Sequence, residues 1–207
     1  MDEETELKLV LYFTIGYLAL FTILAIINRN LEFLFYTVVM SSLIFITLFV
    51  HKKLHLHVSV ITGLALIGLL HILGGHVYIQ GIRLYDFWLI GNFFKYDNFV
   101  HLIAIFTTTI IAYSLLNPHL DKKLSHNKFL LTLLLVLIAS GIGAFNEILE
   151  LLAVVLLGAA EGVGNYMNNA IDLVYNLFGA ILASAIMIHY HKTNSKNKVS
   201  FVSKKNV

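Results

Sequence analysis

The sequence contains no cysteine, a single proline and few charged residues for its length. Without cysteine, the chain forms neither disulfides nor thiolate–metal bonds. Charged residues make up 13% of its 207 positions, whereas a soluble domain usually carries about a quarter. The formal net charge is only +2, and no stripe of lysine and arginine interleaves with aromatic residues. This pattern argues against a nucleic-acid partner.

Long apolar blocks dominate what is present. The chain is 58% hydrophobic with a mean hydropathy of +0.83, and helices of about 20 apolar residues cross a bilayer. We therefore predict an all-α fold, a polytopic membrane helix bundle with about six transmembrane helices, lipid as its surroundings and a multi-pass location in the cell membrane. The predicted spans are Leu9–Ile27, Leu31–Val50, His57–Leu73, Phe99–Leu116, Phe129–Leu157 and Ala170–Tyr190.

One domain is the simplest organisation of these blocks. Residues 1–191 are predicted to form a single transmembrane helical domain, and residues 192–207 a polar, lysine-rich cytoplasmic tail. Pro118 follows the fourth block, where it can end a helix without breaking one. The first residues, MDEETELK, are acidic and lead to no small-residue cleavage site, so the first block is expected to stay in the protein.

The positive residues predict the orientation. If the N-terminus is cytoplasmic, all but three of the 14 lysines and arginines lie on the cytoplasmic side. The exceptions are Arg29, Arg83 and Lys95. Positive residues concentrate in cytoplasmic loops. We therefore predict that both termini are cytoplasmic.

Polar residues of four spans fall at one depth. At about 1.5 Å per helical residue, His71 lies about 27 Å from the cytoplasmic edge of its span, His101 about 24 Å and Glu147 about 28 Å. Asp172 and Asn176 lie about 30 and 24 Å from theirs. Because the hydrocarbon core is about 30 Å thick, these side chains are predicted to meet near the outer boundary.

Three pairs of polar residues are spaced three or four positions apart, which places each pair on one face of its helix. Polar faces of membrane helices point into the bundle, because lipid cannot hydrogen-bond them. We therefore expect the pairs to converge on one cavity, with His71 nearby. The pairs are Asp97 with His101, Glu147 with Glu150, and Asp172 with Asn176.

Four acids in one cavity need compensation by a metal ion, by shared protons, or by a basic side chain such as Arg83 or Lys95. Histidine with carboxylates suits a divalent metal ion, namely zinc, iron or manganese. The Glu-x-x-Glu spacing differs from the Glu-x-x-His of di-iron bundles, so the pattern indicates a metal without identifying it. The candidate metal ligands are His71, His76, Asp97, His101, Glu147, Glu150 and Asp172.

The connection between the third and fourth spans is predicted to form an interfacial or re-entrant segment. Its many aromatic residues suit the depth of lipid headgroups. Gly74-Gly75 is expected to release the helix, so that His76 turns back toward the cavity. Arg83 is the natural anion-binding residue. The candidate substrate-binding residues are Arg83, Tyr78, Asn146 and Asn176.

Each of these residues also has a structural interpretation. A single histidine such as His71 most often hydrogen-bonds a neighbouring helix, and Asp97 with His101 can be a simple carboxylate–imidazole pair. Asp172 and Asn176 can join helix ends near the surface. The two glutamates are hardest to explain in this way, because neighbouring acids gain nothing without a cation.

The order of the motifs resembles that of the YjdF-like inner-membrane proteins, a family without an assigned activity. The similarity covers about residues 65–185 and includes His-x-x-Gly-Gly-His-x-Tyr from His71, Tyr96-Asp97-x-x-x-His101, and Asn146-Glu147-x-x-Glu150. The Asp97–His101 piece and Asp172-x-x-x-Asn176-x-x-Gly-Ala also resemble VanZ-like proteins, a group linked to glycopeptide resistance. Two details depart from the YjdF-like pattern, namely Leu151 in place of an aromatic residue and Asn168-Asn169 in place of Gln-Gly-Asp.

The leading functional hypothesis is a metal-dependent hydrolase or transferase acting on a lipid or envelope substrate. Glu147, Glu150, His101 and Asp97 are its candidate catalytic residues, as ligands or general acid and base. One alternative is a small-solute transporter or an ion- or proton-coupled transporter, which needs polar residues continuing to the cytoplasmic side. The other is a non-catalytic membrane scaffold in which the polar residues only hold the bundle together.

Overall fold

Seven α-helices and two small β-hairpins make up the structure, a computed structural model that describes residues 2–54, 56–159 and 164–193. The helices are α1 (Glu3–Ile27), α2 (Leu31–Leu54), α3 (Val58–His76), α4 (Tyr96–Leu116), α5 (Lys122–His126), α6 (Lys128–Leu157) and α7 (Tyr166–Thr193). The strands are β1 (Tyr78–Ile79), β2 (Ile82–Arg83), β3 (Trp88–Ile90) and β4 (Phe94–Lys95). All but residues 192 and 193 of the predicted tail lie outside the described residues.

Six of these helices, all except α5, are long and apolar enough to cross a membrane. Their outer faces expose large apolar side chains, including Phe45, Phe129 and Val155, each more than two-thirds accessible. A soluble protein rarely exposes so much contiguous apolar surface, whereas lipid covers it at no cost. The predicted fold class, a polytopic membrane helix bundle, is confirmed.

Polar side chains mark where several helices begin. Asp2 accepts a hydrogen bond from the backbone N–H of Thr5 at the start of α1, and Asn127 accepts one from Leu130 at the start of α6. These caps satisfy backbone donors that have no partner within the helix. Gly158, with φ +70°, ends α6 in the left-handed conformation that glycine adopts most readily.

Helices α4, α6 and α7 each contact the other two and form the core of the bundle. Helix α3 packs against α4 and connects this core to α1 and α2, while α2 also touches α6. Small side chains let the core helices approach closely, as is typical of membrane bundles. Ala139 of α6 and Ala180 and Ala183 of α7 are completely buried.

The connection between α3 and α4 was predicted to be an interfacial or re-entrant segment, and residues 77–95 contain no α-helix. It consists of two antiparallel hairpins, β1–β2 and β3–β4, joined by a short 3-10 turn at Leu84–Asp86. Both residues of the first hairpin turn, Gln80 and Gly81, have positive φ angles of 52° and 80°. Two-residue turns with this twist match the twist of paired strands. The hairpins therefore lie at one end of the bundle, where α3 ends and α4 begins.

The expected release of α3 at Gly74-Gly75 does not occur, since the helix continues to His76. The two glycines instead leave room for aromatic rings. A Cβ atom on Gly74 would lie 2.7 Å from the ring of Tyr85, and a Cβ atom on Gly75 would collide with the ring of Phe33. The prediction was wrong because these glycines provide space for packing rather than backbone freedom.

The orientation prediction can be tested with single cysteines, since the chain has none of its own. We expect Leu89→Cys, in the exposed strand β3, to react with a membrane-impermeant maleimide in intact cells. Ser125→Cys, in α5 between the fourth and fifth spans, should react only after permeabilisation, because the positive residues place it inside. The opposite labelling pattern would contradict a cytoplasmic N-terminus.

Close packing of α4 on α7 predicts a strong effect of Gly179→Ala. A Cβ atom at Gly179 would collide with the backbone carbonyl of Leu102, which cannot rotate away. We expect a loss of about 1–3 kcal/mol in the free energy of unfolding, seen as a lower melting temperature in detergent. Gly141→Ala is the matched control, because its Cβ position has no described atom within 4 Å outside the backbone of its own helix and its two chain neighbours. Equal melting temperatures for the two variants would contradict the close contact.

Candidate metal centre

His101 lies at the centre of the predicted site, one turn after Asp97 at the start of α4. Its Nε2 atom is 3.5 Å from a carboxylate oxygen of Asp97 and 4.0 Å from one of Asp172. The same atom is 3.9 Å from Glu150, and Nδ1 is 3.6 Å from Glu147. We call these five residues the acid–histidine cluster. It joins α4, α6 and α7, as the common depth of its members predicted.

The cluster is buried. The side chain of Asp172 is fully inaccessible, and those of His101, Glu147, Glu150 and Asp97 are at most 15% exposed. Carboxylates with so little contact with water need partners that replace their hydration. Asparagine side chains supply part of this replacement.

Asparagine amides from α4, α6 and α7 donate to the carboxylates. Asn168 donates to both Asp97 and Asp172, at 3.0 and 2.7 Å, and Asn98 donates to the second oxygen of Asp172 at 3.0 Å. Further along α7, Asn169 donates to Glu147 at 3.2 Å. These bonds hold the carboxylates in fixed positions around His101 without neutralising their charge.

Asn146 and Asn176, two predicted substrate-binding residues, also belong to this network. Asn146 donates to Glu150 at 2.8 Å. The side-chain oxygen of Asn176 lies 3.3 Å from Nδ1 of His101. Asn176 packs directly over Gly143, whose Cβ position lies 2.8 Å from the Asn176 amide nitrogen. Any larger residue at position 143 would displace this side chain.

The negative charge of the four carboxylates is not balanced by positive side chains within the cluster. Four carboxylates surround one imidazole, which compensates at most one negative charge even when it is protonated. Arg83 shares its charge with Asp86, at 3.2 Å, and Glu32, at 3.8 Å. Oε1 of Glu147 is buried and has no hydrogen-bond partner among the described residues. The arrangement is therefore one that a cation or shared protons would stabilise.

Two groups of side chains have ligand atoms close enough to share one ion. They are Asp97 with His101 and Asp172, and His101 with Glu147 and Glu150; within each group all ligand atoms lie within 4.8 Å of one another. Ligands about 2.1 Å from a tetrahedral zinc ion are about 3.4 Å apart. The separations of 3.5–4.0 Å around His101 are close to that value.

His71, a predicted ligand, lies beside the cluster and belongs to neither group. Its Nδ1 atom is hydrogen-bonded to the hydroxyl of Tyr85 at 2.5 Å, and its ring packs edge-on against Tyr36. Desolvation raises the pKa of the Tyr85 phenol well above its ordinary value. Tyr85 therefore keeps its proton near neutral pH and fixes the orientation of the His71 ring.

His76 lies apart from the cluster. Its Nδ1 atom bonds to the carbonyl of Ile72 on its own helix at 3.0 Å, and its ring packs against Phe21 and Phe33. Because α3 runs on unbroken, His76 points toward α1 and α2 rather than toward His101. Among the described residues, it joins no group that could hold a metal ion.

Arg83 and Tyr78 lie on opposite strands of the first hairpin, where they form a cross-strand pair. The Arg83 side chain is only 15% exposed and lines a small polar cavity together with Asp97, Glu150 and Asn168. Tyr78 is 62% exposed. The structure therefore brings Arg83 to the edge of the site and leaves Tyr78 on the surface.

Two cavities meet at the cluster. The polar one, of about 30 Å³, lies under the hairpins and is bordered by Glu32 and Arg83. The other, of about 670 Å³, extends away from the hairpins between α1, α2, α3, α4 and α6. Tyr36, His71, Tyr85 and Glu150 line both cavities.

Sequence reasoning missed the asparagines Asn98, Asn168 and Asn169 as parts of the site. A signal was present for Asn168, which lies four residues before Asp172 and extends the polar face of α7 by one turn. Asn98 adjoins Asp97 but lies about 100° around the helix from it. Only the packing of α7 across α4 brings Asn98 to Asp172.

The fold and the site together define a polytopic helical membrane protein with a buried acid–histidine centre. The family model described as "Predicted membrane protein (DUF2238)" matches residues 9–193. The chain belongs to this family, which is the YjdF-like family, so that resemblance is confirmed. No curated protein and no solved structure matches the chain significantly. The VanZ-like similarity stays a prediction.

The asparagine network predicts a graded effect at position 168. Asn168→Ala removes two hydrogen bonds to buried carboxylates, each worth about 1.5–3 kcal/mol, and should lower the melting temperature of the purified protein. Asn168→Asp also adds a fifth carboxylate and should lower it further, since like charges repel. The control is Asn127→Ala, which removes an exposed helix cap. A melting temperature for Asn168→Asp equal to that of the wild type would contradict the network.

Proposed function

We propose that this protein is a metal-dependent hydrolase or transferase of the cell membrane that acts on a lipid or envelope substrate. The observation that carries the proposal is the ring of four carboxylates around His101, buried and drawn from three helices. Buried ionisable groups in a membrane protein are costly, and function is the usual reason for their presence.

Asp97, His101 and Asp172 are the residues we assign to a divalent ion such as zinc, iron or manganese. Their nitrogen and carboxylate atoms suit these ions. Asn168 and Asn98 hold the two carboxylates from outside, which is the arrangement that orients ligands in metal sites. When bound, the ion supplies Lewis-acid polarisation of a substrate oxygen.

Glu150 and Glu147 are the residues we assign to proton transfer. Glu150 lines both cavities, so a substrate in the larger cavity can reach it. Oε1 of Glu147 lies 3.6 Å from Nδ1 of His101 and accepts no hydrogen bond from the described residues, so it can accept a proton. His71 and Tyr85 support the site from its edge, where Tyr85 fixes the His71 ring. Arg83 lies at the polar cavity, where it can contact an anionic headgroup.

The alternative of an ion- or proton-coupled transporter finds less support. Such a transporter needs polar groups along its path, and the large cavity leads away from the cluster. Ionisable residues line its far end, namely Glu4, Lys8 and His51. Between them and the cluster, the polar lining consists of the hydroxyls of Thr14, Tyr17, Thr47 and Thr108. These carry no charge at neutral pH.

Metal content separates the assigned roles. We expect the detergent-purified protein to contain a divalent transition metal, measured by inductively coupled plasma mass spectrometry. His101→Ala and Asp172→Asn should lose it, because each removes a ligand, while Glu150→Gln should retain it. Glu32→Gln is the matched control, since Glu32 is also a partly buried acid but pairs with Arg83. Added zinc at about 100 times its Kd should stabilise the metal-depleted protein by about 2.7 kcal/mol.

Turnover is the second readout of the same variants. Reconstituted wild-type protein should change the headgroup composition of a total membrane lipid extract, followed by mass spectrometry, and Glu150→Gln should lose this activity while keeping its metal. A wild-type protein that contains no metal, shows no thermal shift with zinc, iron or manganese and leaves the lipids unchanged would contradict the proposal.

A further inference from the structure

The larger cavity is lined mostly by apolar side chains, which a polar ligand would not need. About 670 Å³ in volume, it is bordered mainly by leucine, isoleucine, valine and alanine side chains of five helices. Its size falls within the range of about 300–1,000 Å³ typical of small-molecule sites. Because it lies among helices that cross the membrane, its natural occupant is apolar.

Two hydroxyl groups of the lining are hydrogen-bonded to backbone carbonyls. Thr14 donates to the carbonyl of Val10 at 2.8 Å, and Tyr17 donates to the carbonyl of Ala65 at 3.0 Å. Hydroxyls satisfied in this way present little hydrogen-bonding capacity to an occupant. Water in the cavity would find few partners, and a water molecule needs two to four. The lining therefore favours hydrocarbon over water.

The cavity is elongated along the helices. Its lining runs from Ile61 to His71 on α3, from Val100 to Ile111 on α4 and from Tyr36 to His51 on α2. At 1.5 Å per residue, these stretches are about 15, 17 and 23 Å long. Half of the hydrocarbon core measures about 15 Å. The cavity is thus long enough for the part of a lipid chain that one leaflet contains.

The end of the cavity near the hairpins is polar, and there it meets the acid–histidine cluster. His101, Glu150 and Asn176 border it at this end, and Tyr36, His71, Tyr85 and Glu150 also border the polar cavity beneath the hairpins. An amphiphile placed with its polar part at these side chains would direct its chain along the apolar lining. The opposite order would place the headgroup at Glu4, Lys8 and His51, where Lys8 is already paired with Glu4 at 2.7 Å.

We propose that the large cavity binds one acyl chain of a membrane phospholipid whose headgroup lies at the acid–histidine cluster. The inference names the substrate class for the proposed function and rests on it for the position of the headgroup. The apolar side chains along the lining select a long chain. The polar end sets the register of the chain, meaning its position along the cavity. This arrangement places the bonds of the headgroup, rather than the chain, beside Glu150.

Photocrosslinking tests the inference. The probe is a phosphatidylglycerol with a diazirine in one acyl chain, incorporated in phosphatidylcholine nanodiscs with the wild-type protein, and labelled peptides are identified by mass spectrometry. We expect labels on lining residues such as Leu64 and Ala104. Leu64→Trp, which fills the cavity, should reduce labelling of Ala104 to background. Leu66→Trp is the matched control, since Leu66 is 49% exposed on the outer face of α3 and should leave cavity labelling unchanged.

A second probe, a diazirine-bearing alkane without a headgroup, tests the register. Weaker cavity labelling by the alkane than by the phospholipid supports the inference; equal labelling overturns it, since the cavity would then be a plain apolar void. Labels confined to lipid-facing residues and insensitive to Leu64→Trp also overturn it. The proposed function fails separately: a wild-type protein without metal or turnover that still shows headgroup-dependent cavity labelling would bind lipid without acting on it.

Discussion

Negative charge buried within a membrane is the constraint on which this structure depends. Four carboxylates converge on His101, namely those of Asp97, Glu147, Glu150 and Asp172. Surrounded by hydrocarbon alone, they would be unstable, because nothing would compensate their charge. The helices that carry these acids are also those that pack most closely against one another. The contacts that close the core therefore also bring the cluster together.

Small residues make that closure possible. The completely buried alanines of α6 and α7 and the contact of Gly179 with the α4 backbone bring the three helix axes together. Without this close approach, asparagine amides on α7 would not reach carboxylates on α4 and α6. The same principle operates at Gly74 and Gly75, where missing side chains admit the rings of Tyr85 and Phe33. In lipid, where burial of apolar surface between helices gains little, such packing and hydrogen bonding drive association.

The hairpins complete the site at one end of the bundle. Through Tyr85, the connection between α3 and α4 contacts His71, and through Arg83 it contacts Glu32 of α2. It thus ties the outer helices to the core at the level of the cluster. The apolar cavity lies on the other side of Glu150, so the site has a polar and an apolar environment next to each other. A molecule with a polar head and a long apolar tail fits both environments.

Much of this organisation can be predicted from the amino-acid sequence. Long apolar blocks determine the six spans, because a helix must satisfy its own backbone in lipid and needs about 20 residues to cross it. Spacings of three and four residues put Asp97 with His101, and Glu147 with Glu150, on shared helix faces. A common depth along each span was enough to predict that these faces meet. All of these inferences follow from the geometry of single helices.

Contacts between helices and the shape of the connection could not be read in this way. The sequence pattern around Gly74-Gly75 suggested a break that would bring His76 to the site, but ring packing against these glycines keeps α3 intact and directs His76 to Phe33. The pairing of Asn98 with Asp172 depends on the rotation of α7 against α4. The single-chain sequence determined what each helix carries and at what height. Only tertiary packing decided which side chains touch, because contact depends on the rotation and separation of helices that are far apart in the chain.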